Sequence, residues 1–419
     1  MKHIYAEVIT IGDEILYGQI TDTNSQWISA ELDKIGIKTI RKTSIGDQKS
    51  EILAILEEAQ KRADILIFTG GLGPTKDDIT KKTLAEFFKD SLEINELALV
   101  NVTELFESRG FKLTEINRQQ AAIPTRSTYL NNAVGTAPGM WFDENGKIFI
   151  SMPGVPFEMK YLMEHEVLPR LRKHFKTPFI IHKVIRTVGI GESFLAEMIE
   201  SWEDALPEHI KLAYLPSMGQ VRLRLTGVGK DKEKLESELN SEAEKVYPII
   251  GKGLFSKDNE ELELVIGKML LERKATLSTA ESCTGGYLAH SITANAGSSA
   301  YYLGSVISYS NDAKIDLLGV EKETLAIEGA VSEHTVIQMA EGARKALKTT
   351  YALSTSGIAG PEGGTDEKPV GTIWMACAGP NGTITKKILS TKTRLVNIQY
   401  GSKTALNLLR KMLSEDHVK

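Results

Sequence analysis

Short apolar runs alternate with helix-spaced apolar positions through the first 174 residues of the chain, the pattern that parallel βα units leave in a sequence. The run Tyr5-Ala6-Glu7-Val8-Ile9-Thr10-Ile11 predicts a first strand, and Asp64-Ile65-Leu66-Ile67-Phe68-Thr69 predicts a later, buried one. Between them, residues 24–35 and 50–62 carry helical spacing, with Ile52, Leu53, Leu56 and Ala59 on one face of the second. An open, doubly wound sheet is the simplest architecture with that order.

The pattern changes at Thr177-Pro178-Phe179. Residues 181–188 and 221–225 predict strands flanking a helix near 193–202, and the alternation Val221-Arg222-Leu223-Arg224-Leu225 marks a half-buried antiparallel strand. The lysine- and glutamate-rich stretch 230–245 predicts a solvated outer helix, so 177–255 forms a small α+β domain with a spacer or dimerising role. A third block covers 258–419, opening on Leu262, Val265, Ile266, Met269 and Leu270 at amphipathic helical spacing. A second such face, Val336, Met339, Ala340, Ala343 and Leu347, precedes a strand over 351–356. A glycine-rich segment over 357–371 and a hairpin at Gly379-Pro380-Asn381-Gly382 follow.

At 419 residues, 42% apolar and 25% charged, the chain reads as an ordinary globular protein with two or three cores at the usual ~150 residues per domain. A formal charge of -5 and a pI of about 6.0 lack the strongly basic balance of a nucleic-acid-binding chain, so no direct nucleic acid partner is expected. Cys283 and Cys377 are the only cysteines, which argues against a disulfide framework and for a cytoplasmic location. Met1-Lys2-His3 leads into a run interrupted by Glu7 rather than into a signal h-region. No stretch approaches the ~18 apolar residues of a membrane span, so no membrane partner is expected.

Two stretches carry candidate chemistry. Upstream, Gly70-Gly71-Leu72-Gly73-Pro74-Thr75-Lys76-Asp77-Asp78-Ile79-Thr80 follows a strand and enters a helix, so its amides can cradle an anion. A tight turn with Asp77 or Asp78 capping the helix is the plain alternative. Gly12-Asp13-Glu14 is expected at the same carboxyl edge of the sheet, and phosphates beside the carboxylates of Asp13, Glu14, Asp77 and Asp78 would repel without a divalent cation between them. That arrangement suggests metal-assisted phosphoester or pyrophosphate chemistry. The spacing is neither GxGxxG nor GxxxxGK[ST], which disfavours a dinucleotide dehydrogenase or a P-loop NTPase.

Downstream, Ala280-Glu281-Ser282-Cys283-Thr284-Gly285-Gly286 places a hydroxyl beside a thiol in a glycine-rich turn. Ser282 is a candidate nucleophile, and the backbone of Thr284, Gly285 and Gly286 a candidate oxyanion hole. Ser308-Tyr309-Ser310-Asn311-Asp312-Ala313-Lys314 supplies Lys314 as base, once burial or nearby cations lower its pKa toward ~7–8, and Tyr309 as orienter or relay. Cys283, with His290 or His334, is the rival nucleophile. Gly357, Gly360, Gly363 and Gly364, continuing to Lys368-Pro369-Val370-Gly371, can wrap a phosphate or ribose.

These residues resemble a known family at both ends. Ile11-Gly12-Asp13-Glu14-Ile15-Leu16 through Asn24, the loop from Gly70, Gly135-Thr136-Ala137-Pro138-Gly139 and Met152-Pro153-Gly154-Val155-Pro156-Phe157-Glu158-Met159 resemble the amino-terminal domain of competence/damage-inducible CinA proteins, which is similar to the MoaB/MogA molybdopterin-binding fold. The resemblance implies an ADP-ribose pyrophosphatase that uses a divalent metal, cobalt or magnesium, with help from potassium. It carries nucleotide contacts to Gly12, Asn24, Gly70, Gly71, Gly73, Thr75, Pro153 and Glu158. The second group of motifs, with Gly329-Ala330-Val331-Ser332, resembles the carboxy-terminal CinA domain that also occurs alone as PncC, the nicotinamide mononucleotide amidohydrolase. It implies deamidation of nicotinamide mononucleotide (NMN) by Ser282 and Lys314 without a cofactor. The expected whole is a MoaB/MogA-like doubly wound sheet over 1–174, a small α+β connecting domain over 177–255 and an α/β amidohydrolase domain over 258–419, in a homodimer. The competing expectation is a pterin- or nucleotide-binding regulatory protein of competence or the DNA damage response, without turnover.

Overall fold

A computed structural model describes residues 4–75 and 78–415, and the chain divides into two units, Met1–Ile181 with Val228–Leu235, and His182–Gly227 with Glu236–Lys419. In the first unit, strands β1 (Ile4–Ile11), β2 (Ile37–Ile45), β3 (Ile65–Thr69), β4 (Leu92–Ile94), β5 (Ala122–Pro124), β6 (Thr128–Leu130), β7 (Gly139–Glu144) and β8 (Lys147–Met152) follow in order. Six of them form a sheet in the order β2-β1-β3-β8-β7-β6, while β4 and β5 pair separately. Strands β1, β2, β3 and β8 are parallel and β6–β8 are joined by antiparallel pairings, so the sheet is mixed where sequence alone suggested only parallel units.

Both faces of this sheet are covered because its central strands alternate two apolar sets. Ala6, Val8, Ile65 and Ile67 pack against Ile28 and Leu32 of helix Thr23–Lys34. Ile9, Leu66 and Phe68 pack on the other side against Ile52 and Leu56 of helix Lys49–Ala59. Each such valine, leucine, isoleucine or phenylalanine, fully buried, contributes about 1.5–3 kcal/mol. Glu7 is the exception inside β1: its buried carboxylate accepts Arg62 Nε at 2.7 Å, Arg62 Nη2 at 2.9 Å and Thr43 Oγ1 at 2.7 Å. Its charge is thereby paired rather than left uncompensated.

The middle sheet has the order β10-β11-β9-β12, from β9 (Phe179–Val188), β10 (Ile210–Ser217), β11 (Gln220–Gly229) and β12 (Leu254–Ser256). Strands β10 and β12 are additions to the sequence expectation. Helix Lys232–Ile250 outruns the expected 230–245 and is not solvated all round: Leu235, Leu239, Ala243, Val246 and Ile250 form a buried stripe.

The last sheet runs β14-β13-β15-β16-β17, from β13 (Leu277–Glu281), β14 (Tyr302–Ile307), β15 (Tyr351–Gly357), β16 (Thr372–Gly379) and β17 (Gly382–Leu389). β13 lies parallel between β14 and β15, and the rest is antiparallel, closed by the expected hairpin with Gly379 opposite Gly382. Leu277, Leu353 and Met375 pack against helices Leu262–Glu272 and Arg394–Glu415 through Ile266, Leu406 and Leu409. On the opposite face Ala280 and Ala352 meet Leu318, Met339 and Ala343. Three parallel strands therefore end at one edge, where ligands sit in open α/β sheets. Among the described residues no helix is long and apolar enough to cross a membrane.

Candidate functional site

Residue Ser282 leaves the end of β13, and its main-chain N–H donates to Thr355 O of β15 at 2.9 Å, which ties the turn to the neighbouring strand. On the other side, Lys314 sits in the first turns of helix Asn311–Leu318, which follows β14 and is capped by Ser310 Oγ accepting from Ala313 N. Lys314 is 1% exposed. Its Nζ donates to Ser282 Oγ at 3.2 Å, Ser308 O at 2.8 Å and Tyr309 O at 3.4 Å. Burial pushes its pKa below the ordinary 10.5, so the neutral amine becomes accessible at lower pH.

The other residues around this pair divide into those that meet it and those that do not. A cavity of about 180 Å³ is lined by Ser282, Lys314, Tyr309, Ser356, Gly357 and Arg394, with Cys283, Ala330, Val331 and Ala359. The expected phenol contact to Lys314 is absent: Tyr309 reaches the lysine through its carbonyl, and its exposed hydroxyl accepts from Arg394 Nη2 at 3.3 Å. Gly285 and Gly286 do not offer their amides to an oxyanion. Gly285 N donates to Ser282 O at 3.2 Å and Gly286 N to Glu281 Oε2 at 3.0 Å. The N–H groups of Cys283 and Thr284 donate to no such partner among the described residues, and they are the donors left in the turn. Gly286 has a φ of +96°, the left-handed region that only glycine enters at no cost, and so ends the turn. The side chain of Thr284 points inward, to Glu281 Oε2 at 2.7 Å and Thr355 Oγ1 at 2.7 Å.

Cys283 belongs to the apolar core, and burial pushes its thiol up to about 12. His334 bonds Glu328 Oε1 at 2.6 Å and His290 stands beside the Tyr287 ring, so neither histidine is placed as its base. In the glycine-rich segment, Gly357 lines the cavity, Gly360 O accepts Arg394 Nη1 at 2.7 Å, and Gly363 and Gly364 are exposed away from it. Lys368 donates to Glu328 O at 2.5 Å instead of facing the cavity. The cation at the cavity besides Lys314 is Arg394, which no motif signalled. Glu281 was also unforeseen: this fully buried carboxylate accepts from the amides of Gly286, Leu288 at 3.1 Å and Ala289 at 2.8 Å.

The upstream cavity, of about 540 Å³, lies at the carboxyl edge of the first sheet and is lined by Gly12, Asn24, Gly70, Gly71, Gly73, Pro153 and Glu158. Asn24 joins three segments there: Nδ2 donates to Gly154 O at 2.7 Å and Thr69 Oγ1 at 3.1 Å, while its buried Oδ1 has no partner. A Cβ on Gly71, whose φ is +66°, would lie 2.1 Å from Thr80 Oγ1, so the loop closes on the following helix only with glycine. Glu158 receives Asn132 Nδ2 at 2.6 Å, and burial raises its pKa.

Among the acidic candidates, Glu14 and Asp78 line this cavity, whereas Asp13 and Thr75 do not, and Asp77 lies outside the described residues. Asp78 turns back to accept from Thr75 N at 2.9 Å and from the Thr75 hydroxyl. Asp13 N donates to Asp47 Oδ2 at 3.1 Å. Asp47, which lines the cavity, is the acidic residue the sequence reading passed over; burial raises its pKa, with the charges of Glu14, Asp13 and Asp78 adding to the shift. It follows β2 at the same edge, so the rule that singled out Asp13 and Asp78 would have found it. Among the described residues no three His, Cys, Asp or Glu side chains converge to hold a metal ion.

Three family descriptions match consecutive stretches: "Probable molybdopterin binding domain" over 7–173, "Damage-inducible protein CinA KH domain" over 182–256 and "CinA C-terminal domain" over 259–413. Fold and site thus define a three-domain protein, with a MoaB/MogA-like α/β domain, a KH-like domain and a CinA C-terminal domain in one chain. A CinA-like protein of Cytophaga hutchinsonii is 53% identical over 99% of this chain and 99% of its own. Another, of Flavobacterium psychrophilum, is 48% identical over 99% and 100%. The chain belongs to the CinA-like, competence/damage-inducible protein family. The crystal structure of competence/damage inducible protein CihA from Agrobacterium tumefaciens is 40% identical, covering 36% of this chain and 93% of its own at a TM-score of 0.36.

Proposed function

We propose that the last domain deamidates NMN to nicotinic acid mononucleotide and ammonia. The observation that carries this reading is the buried pair in which Lys314 Nζ stands 3.2 Å from Ser282 Oγ. Neutral Lys314 takes the hydroxyl proton as Oγ bonds the carboxamide carbon, and the N–H groups of Cys283 and Thr284 hold the oxyanion. The C–N bond then breaks, the lysine returns its proton to the leaving nitrogen, and ammonia departs. Water, activated by the same amine, cleaves the ester to the acid and frees Ser282. Arg394, with donors to spare beyond Gly360 and Tyr309, binds the substrate phosphate.

Ammonia release by the purified protein tests this, with Ser282→Ala, Lys314→Ala and Cys283→Ala beside it. Loss in the first two and retention in the third is expected; no release by folded wild type would discard the reading.

For the first domain we propose binding of ADP-ribose in the upstream cavity and its hydrolysis at the pyrophosphate. The glycine-lined loop supports an anionic group, and the unpartnered acceptor Asn24 Oδ1 supports a hydroxyl donor such as a ribose offers. Asp78 is engaged by its own loop, which supports binding without turnover as the second reading. Assay of ADP-ribose cleavage with cobalt or magnesium added, with and without potassium, separates the two. The net charge of -5 supports small-molecule rather than nucleic acid partners, and a cytoplasmic homodimer is the proposed working form, checked by light scattering and fractionation.

A further inference from the structure

We infer that Glu281 is the positioning residue of the Ser282 nucleophile: its carboxylate locks the turn that aims the hydroxyl at Lys314. The kinetic part of this inference rests on the proposed amidase reading, whereas its structural part does not.

Glu281 closes β13 one residue before Ser282 and is completely buried. Removing a carboxylate from water is costly unless hydrogen bonds replace the hydration, and here neutral donors replace it. Thr284 Oγ1 lies at 2.7 Å, Gly286 N at 3.0 Å, Leu288 N at 3.1 Å, Ala289 N at 2.8 Å and Ser305 Oγ at 3.4 Å. Helix Tyr287–Thr293 has no side-chain cap of its own, because Gly286 occupies its N-cap with a φ of +96°. A capping serine or aspartate there would meet backbone strain. The cap is supplied instead from the residue that precedes the nucleophile.

That choice has a mechanical result. One carboxylate grips the turn before Ser282, through its own main chain, and after it, through Thr284 and Gly286. Thr284 Oγ1 also reaches Thr355 Oγ1 at 2.7 Å, and Ser282 N reaches Thr355 O at 2.9 Å, so the turn is fastened to β15 as well. Ser282 is left with little freedom beyond its own side-chain rotation. A helix cap alone would not need a buried charge at this position.

The test uses the full chain with Glu281→Gln, which keeps the shape but offers one acceptor oxygen where the carboxylate offers two. The expected result is a fall in kcat for NMN of about 10²-fold, the cost of roughly 1 Å of misplacement, with KM unchanged because Arg394 is not touched. A crystal structure of the variant is expected to place Ser282 Oγ beyond hydrogen-bond reach of Lys314 Nζ. Thr284→Val, which leaves the carboxylate in place, is expected to lower kcat about tenfold. Wild-type kcat in both variants, or a Ser282–Lys314 separation still at 3.2 Å in the glutamine variant, would overturn the inference. Should the wild type release no ammonia, the amidase reading falls, and that separation alone decides the role of Glu281.

Discussion

Lys314 is a base only when neutral, and its burial makes that a measurable statement about pH. The amine is 1% exposed, and desolvation holds its pKa below 10.5. Below the folded-state pKa the neutral fraction falls tenfold for each pH unit, so kcat/KM for NMN falls with it, at about 1.4 kcal/mol per unit. Ammonia release is followed from about pH 6 to about pH 11, and log kcat/KM is expected to rise with unit slope and level off below the ordinary lysine value. Lys314→Met removes the base and is expected to cost about 10²–10⁴-fold, or about 3–5 kcal/mol of transition-state stabilisation.

Stability gives an independent reading of the same group. Above 10.5 the lysine is neutral in both folded and unfolded chains and contributes no pH dependence. As pH falls from there, the unfolded chain takes up the proton first, so stability drops until the folded pKa is passed and is then level. Lys314→Met lacks this slope, and its melting temperature should depend less on pH through that window. A flat pH–rate profile in the wild type, or a methionine variant within tenfold of wild-type activity, would refute the assignment of Lys314 as base.

Three further outcomes follow from the geometry. With its thiol pushed up to about 12, Cys283 is thiolate in only about one molecule in 10⁵ at pH 7, so iodoacetamide should leave ammonia release intact. Loss of activity in step with thiol labelling would contradict this. Arg394→Ala should raise KM for NMN by roughly 10- to 100-fold, the worth of a charge-assisted hydrogen bond, with kcat within about threefold. A kcat defect at constant KM would instead place Arg394 at the reacting amide. Gly71→Ala puts a Cβ 2.1 Å from Thr80 Oγ1 at a φ of +66°, and should weaken ADP-ribose binding in calorimetry at least about tenfold while ammonia release stays at wild type.

The parts legible in the sequence were those where a single physical rule dominates. β1 and β3 are buried on both faces and so appear as apolar runs, and the helix starting at Leu262 shows its buried stripe directly. β10 was hidden because Pro216-Ser217-Met218-Gly219 reads as loop, although Pro216 pairs with Val221 at the strand's end. β12 has only three residues, too few for a period to register. The Ser282–Lys314 pair was readable because Ser282 directly follows β13 and Lys314 stands in the helix that follows β14, at the edge where parallel strands deliver their chemistry. Arg394 enters from a distant helix and depends on tertiary packing alone. Glu281 carries no signal of its own in the sequence; only the helix folding over it reveals three amides aimed at one carboxylate. Tyr309 shows the reverse failure: five residues before Lys314, it gives the lysine its carbonyl while its exposed hydroxyl meets Arg394.

One border of the first sheet and one border of the last carry positive charge. β2 exposes Lys38, Arg41 and Lys42 along the border of the first sheet, and β17 exposes Lys386 and Lys387 along the border of the last. A strand arriving from another molecule would have to press its backbone against these ammonium and guanidinium groups and strip their water. At these two borders the sheet therefore resists an added strand, and the apolar strands behind them are kept from templating aggregation when the protein is crowded.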